Sequence, residues 1–307
     1  MTTISGAEFT IAAAGYRAVV TLRGAGLREL TYEGRDLILT HPAGQRPPGA
    51  AGQVLAPWPN RIDKGRYFFG DTEYHLEINE PERNTAIHGL VRWVDWDVVE
   101  EGESAVALAY RLAGAPGYPF QLDLEMRYAL GDDGLTASLT AGNPGDRDDP
   151  AAGAVPYGNG AHPYLTLGRP IDDCTLTVPA AEWLPTDDRG IPHGMPHEVR
   201  GEHDLRVPRR LGPTRIDNAF TGLTRDDDDR AWVRLAYGSA EVGLWLDTAY
   251  PWVEIFTGDT LGPGVARLGV ACEPMTCPPN AFAAGRDVIV LEPGEVVTTN
   301  WGIARLS

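Results

Sequence analysis

Four side chains along this sequence sit where proton chemistry or polar-ligand binding is physically favoured. Glu273 ends the apolar run GVARLGVACE and precedes Pro274. A carboxyl at the end of a buried strand is partly desolvated, which raises its pKa and makes it a better base near neutrality. The plainer alternative pairs it with an arginine such as Arg267. His162 lies in AVPYGNGAHPYLTLG, between a Gly-rich turn and Pro163. Proline biases the preceding residue to extended backbone, so the imidazole is expected at the start of a strand, within reach of a concave face; the alternative is a packing histidine bonded to backbone. Asp217, followed by Asn218 in RIDNAFTGL, could accept hydrogen bonds from ligand hydroxyls or cap a strand as an Asx turn. His88 follows an apolar pair in TAIHGL.

The stretch Val54–Trp96 sets Arg61, His88 and Arg92 beside Trp, Tyr and Phe, among Pro, Gly and Asn. Flat apolar faces next to planar hydrogen-bonding groups suit a sugar, whose C–H faces stack on rings while its hydroxyls need fixed partners. Trp58 and Trp93 are the candidate stacking faces, or simply core. The competing reading of the whole stretch is an aromatic-rich core under a polar loop.

Elements able to position these residues are short strands. Gly 36 and Pro 25 in 307 residues favour many short elements joined by tight turns. Residues 7–40 read as four strands punctuated by Gly15, Gly24, Gly26 and Gly34. Gln121–Leu130 and Leu135–Ala141 read as a hairpin across Gly131–Gly134, and DVIVLEPGEVVTTNWGIARLS as two strands around Pro293-Gly294 that return to the sheet. With no helical period and no composition shift at a linker, the expectation is an all-β chain, residues 1–307 as one domain. His41, His193, His197 and His203 read as surface loop residues.

A net charge of −17 argues against nucleic acid and anionic membrane as partners. No basic region precedes an apolar run at the N-terminus, and no window is apolar enough to span a bilayer. Cys174, Cys272 and Cys277 form no disulfide framework or zinc spacing, so no metal is expected and a reducing compartment, the cytoplasm, is favoured.

Taken in order, PWPNRI, GRYFFG, AIHGL, HPYL, DNAF and CEPMTCPPNAF resemble the aldose 1-epimerase (galactose mutarotase) family over nearly the whole chain. The resemblance implies a large antiparallel β-sandwich with a sugar cleft across its concave sheet. It also implies no metal or organic cofactor, a monosaccharide as the small-molecule partner, and a monomer or homodimer. In the family, Arg61, His88, His162, Asp217 and Glu273 occupy the positions that bind or convert the sugar. Two stretches depart from galactose-acting members: HGLVRWVDW replaces a Gly-rich run, and HPYL replaces a Ser or Asn before the Tyr. HGLVRW looks closer to a bacterial branch that includes mutarotases for other aldoses and for an anionic sulfonated glucose. Arg92 is similar to an arginine of the hexose-6-phosphate 1-epimerases.

The expected reaction interconverts α and β anomers of a hexose, with Glu273 as base and His162 as acid on opposite sides of the C1–O5 region. Arg61, His88 and Asp217 are expected to hold the ring and its hydroxyls. The alternatives are an anionic sugar as substrate, a glycosidase built on paired carboxylates, or a non-catalytic sugar-binding module.

Overall fold

Leu122, Leu124, Met126, Tyr128 and Leu130 are buried while the residues between them are partly or fully exposed. A strand points successive side chains to opposite faces, so this alternation commits one face to a core. In the computed structural model, which describes residues 4–149 and 152–307, Leu122–Gly131 pairs with Gly134–Gly142 from Asp123↔Gly142 down to Gly131↔Gly134. The expected hairpin is therefore present, its turn reduced to Asp132 and Asp133.

These strands belong to a nine-stranded sheet. In spatial order it runs Asp97–Glu101, Ala105–Leu112, Leu122–Gly131, Gly134–Gly142, Val296–Arg305, Ala240–Leu246, Ala231–Tyr237, Thr175–Thr177 and Arg209–Arg210. A second, eight-stranded sheet places Asp217–Leu223, Trp252–Phe256 and Val270–Met275 side by side, with Gly160–Ala161, Tyr164–Leu165 and Val54–Leu55 beyond them. Pairing is antiparallel throughout the ladders that build both sheets. One core joins Met126, Leu139, Leu244 and Ile303 of the first sheet to Phe220, Val253, Ile255 and Cys272 of the second. The fold is an all-β antiparallel sandwich.

The opening meander also forms, Glu8–Ala13, Tyr16–Thr21, Leu27–Tyr32 and Arg35–Asp36 pairing in that order, though the fourth strand, expected through residue 40, stops after two residues. The two strands around Pro293-Gly294 part company. Ile289–Leu291 pairs with Val155–Tyr157, whereas Val296–Arg305 enters the middle of the nine-stranded sheet. Two of the histidines read as surface residues are not on the surface. His41 is only 7% exposed, and His203 is half-buried with its ring stacked on Trp183 at 3.7 Å. Aromatic packing and a polar pocket, invisible in a Pro- and Gly-rich text, draw them in.

The strands Trp252–Phe256 and Val270–Met275 are covered on both faces. Val253, Ile255, Val270 and Cys272 face the main core, while Trp252 and Met275 join a small outer cluster with Ala219 and Leu184. Alternation then puts Asp217, Glu254 and Glu273 on that outer face. No helix among the described residues is long and apolar enough to cross a membrane.

Candidate active site

On the outer face of the eight-stranded sheet lies a cavity of about 610 Å³. Arg61, His88, Arg92, His162, Asp217 and Glu273 all line it, together with Asn60, Asn79, Glu80, Arg83 and Tyr164. Six of the eight residues expected at a site are thus brought together.

Glu273 reaches the cavity from Val270–Met275, and His162 from the link between Gly160–Ala161 and Tyr164–Leu165, two short strands that both pair with it. The His162 backbone is clamped: its N–H donates to the Gln53 carbonyl at 3.1 Å, and its carbonyl accepts from Gly52 N–H at 2.9 Å. The ring stacks on Tyr164 at 5.0 Å and meets His88 edge-on at 5.3 Å. So held, His162 Nε2 lies 3.2 Å from Glu273 Oε1. Arg267 is no partner for Glu273, because its guanidinium is bound to Asp172 and Asp259.

Both groups are buried. Burial, then the charge of Asp217, pushes the Glu273 carboxyl well above its ordinary value, with Arg61 pulling it back in part. Burial, reinforced by Arg92 and Arg61, pushes the His162 imidazole down to about 3. His88 is pushed down likewise, by burial and then by Arg92, His162 and Arg61. His88 Nδ1, His162 Nδ1 and Glu273 Oε2 are buried without a hydrogen-bond partner. Orphaned buried polar atoms cost free energy in the empty protein, and a polyhydroxylated ligand offers them donors and acceptors.

His88 has φ +63, a left-handed conformation costly for a non-glycine residue. Its N–H is tied to the Asn60 carbonyl at 2.9 Å. Gly89 follows with φ +68, and a Cβ there would lie 2.0 Å from the Ala56 carbonyl oxygen, so only glycine fits. The HG pair is a backbone device that swings His88 into the cavity.

Arg61 is fixed by Glu80, which accepts from Nε at 2.8 Å and from Nη2 at 3.0 Å. Burial works against the Arg61 charge, but this bidentate pair outweighs it and holds the guanidinium above its ordinary value. Asn280, from CPPNAF, ties the same strand down: its Oδ1 accepts from Asp63 N–H at 2.9 Å. Arg92 differs. Burial lowers it to about 10, it makes no ion pair among the described residues, and its Nε has no partner. Its bonds are long ones to Gln53 Oε1 at 3.4 Å and the Ile87 carbonyl at 3.3 Å.

The two tryptophans expected to stack on a ligand do not line the cavity. Trp58 is 2% exposed and packs between Tyr118 and Phe282 in the core. Trp93 is 44% exposed, lies under Arg46, and borders a separate hollow with Arg28 and His41. An aromatic-rich stretch serves core and site alike, and side-chain direction decides which. Sequence reading also passed over Glu80, Tyr164 and Glu254. Glu254 carried a signal, a lone charge inside the apolar strand WVEIF. Among the described residues no group of three His, Cys, Asp or Glu is placed to hold a metal ion.

Comparison with known proteins bears on the fold and the family. The chain is 34% identical to the uncharacterized protein YihR of Escherichia coli (strain K12) over 293 residues, covering 95% of this chain and 91% of that protein. It is 30% identical to human galactose mutarotase over 226 residues, 68% of this chain and 63% of that protein. Among solved structures, the GalM/aldose epimerase homologue from C. elegans superposes with a TM-score of 0.83 at 19% identity, covering 98% of this chain and 99% of that one. A galactose mutarotase-like protein from Clostridium acetobutylicum gives 0.82 at 20% identity, over 96% and 94%. The sequence pattern of the family described as aldose 1-epimerase matches residues 8–303, and the chain belongs to that family.

Proposed function

We propose that this protein is a mutarotase that interconverts the α and β anomers of a hexose. The observation that carries the reading is the His162–Glu273 contact at 3.2 Å in the wall of a sugar-sized cavity. The pair has two forms of equal net charge, an ion pair and a neutral pair in which the proton has crossed to Glu273. Anomerisation converts one into the other. Glu273 takes the proton of the anomeric hydroxyl, His162 gives its proton to the ring oxygen, and the C1–O5 bond breaks to leave an aldehyde and a C5 hydroxyl. Rotation about C1–C2 and the reverse transfers close the ring on the other face. Burial disfavours the ion pair, so the site is biased toward the ring-opened side of the step.

The expectation that acid and base stand on opposite sides of the C1–O5 region is corrected, because the two groups are neighbours 3.2 Å apart. Since the anomeric hydroxyl and the ring oxygen share one carbon, neighbouring groups can serve both. Arg61, His88 and Asp217 are assigned to the ring and its hydroxyls. Three buried, unpaired cysteines support the cytoplasm as the compartment.

A second reading, an anionic hexose as substrate, is favoured by Arg92. A partly buried guanidinium at the cavity wall with no carboxylate partner is a ready seat for a phosphate or sulfonate. Anomer-exchange rates by NMR across glucose, galactose, glucose 6-phosphate and sulfoquinovose test both. Acceleration of any of them supports mutarotation, and preference for a charged sugar selects the second reading. No acceleration of any of the four refutes enzymatic activity on these sugars and leaves a sugar-binding module.

A further inference from the structure

Glu254 is a buried acid that the proposed reaction leaves without a task. It stands on Trp252–Phe256, the strand between those carrying Asp217 and Glu273, and it is directly opposite Glu273 in the antiparallel register. Directly opposed residues share a face with their Cβ atoms about 4.5–5.5 Å apart, and like charges so placed repel. Both carboxyls are buried, and each has one oxygen, Oε2, without a hydrogen-bond partner. Unlike Glu273, Glu254 does not line the cavity.

The groups around the pair do not neutralise two charges. From the neighbouring strand Asp217 adds a further negative charge to both carboxyls, and Arg61 is the cation that acts on both. Arg61, however, already gives two hydrogen bonds to Glu80. His162 contacts Glu273 alone, Tyr164 feels the Glu273 and Asp217 charges, Cys272 feels that of Glu273, and Arg92 acts on the imidazoles of His162 and His88.

We propose that Glu254 keeps its proton at neutral pH and offers it to the orphaned oxygen of Glu273, so that when the pair with His162 takes its ionic form the negative charge falls on Glu273 alone. Glu254 is then a positioning residue. As a neutral donor it aims Glu273 at the cavity; as an anion it would drive a proton permanently onto Glu273 and remove the base. Burial and the neighbouring Asp217 and Glu273 charges all push Glu254 in this direction, against the pull of Arg61. Environments that split two carboxyls into a proton holder and a charge carrier are an established route to acid–base function.

Infrared difference spectroscopy reads the proton directly and does not depend on the proposed reaction. The wild-type protein at pH 7 should show a protonated-carboxyl band that E273Q retains and E254Q loses. Titration of the wild type needs no variant, and the band should persist well above pH 4.5, the ordinary value for Glu. The kinetic arm rests on the mutarotase reading. There E254L should lower kcat about tenfold or more with little change in KM, and E254Q, a neutral donor of the same shape, should restore most of it. E254Q should also leave the acid limb of the kcat/KM profile in place. No protonated band assignable to Glu254, or an acid limb displaced downward by about a unit or more in E254Q, would show an ionised Glu254 and overturn the proposal.

Discussion

His162 Nε2 and Glu273 Oε1 are 3.2 Å apart, brought together from strands that are neighbours in the sheet but more than a hundred residues apart in the chain. The contact joins two groups whose ordinary order of proton affinity is inverted by burial, the carboxyl raised well above its usual value and the imidazole lowered to about 3. The neutral pair, with the proton on Glu273, is thereby favoured, and ring opening draws on the ion-pair form, which collapses to the neutral pair as the C1–O5 bond breaks.

His162→Asn keeps a polar side chain but removes the group that supplies the ring-oxygen proton. The expected loss is about 10²–10⁴-fold in kcat, with a much smaller change in KM. Polarimetry on freshly dissolved anomer checks it; a loss confined to KM would make His162 a binding residue.

Arg92→Gln separates the two substrate readings. For a neutral hexose, kcat/KM should change by less than about threefold, whereas an anionic hexose should lose about tenfold or more with its charge-assisted bond. Equal losses for both would make Arg92 part of the wall.

Trp58→Ala should destabilise the protein by about 3–5 kcal/mol through the cavity left between Tyr118 and Phe282. Trp93→Ala, at a half-exposed position, should cost far less. Urea unfolding reads both, and neither should change KM in the folded protein if no tryptophan stacks on the sugar.

Stability should depend on pH through the buried acids. Glu254 binds its proton more tightly folded than unfolded, so its contribution is fully present below about pH 4.5 and is lost as pH rises through the folded value. E254Q removes that loss. Its stability relative to wild type should therefore grow with pH above 4.5, by at most about 1.4 kcal/mol per unit, as read from unfolding midpoints at pH 5, 7 and 9. A difference that is flat or shrinks with pH contradicts a raised Glu254.

Strand positions were legible in the sequence because alternation and glycine turns are local signals, as in Leu122–Gly131 and the opening meander. Pairing was less so: nothing local tells Ile289–Leu291 to leave its neighbour for Val155–Tyr157. At the site, Arg61, His88, His162, Asp217 and Glu273 were legible because polar residues interrupt apolar or Gly-rich text there. Trp58 was misplaced because burial and stacking use the same residue type. Glu254 was passed over because one charge in a short strand gains meaning only when the register sets it opposite Glu273.

The most direct test is anomer exchange by NMR with wild-type protein and Glu273→Gln side by side on one sugar that the wild type accelerates. The variant should lose exchange by about a thousandfold or more while binding the sugar within about tenfold of wild type. A Gln variant that equilibrates the anomers at the wild-type rate would contradict the assignment of Glu273 as the proton acceptor.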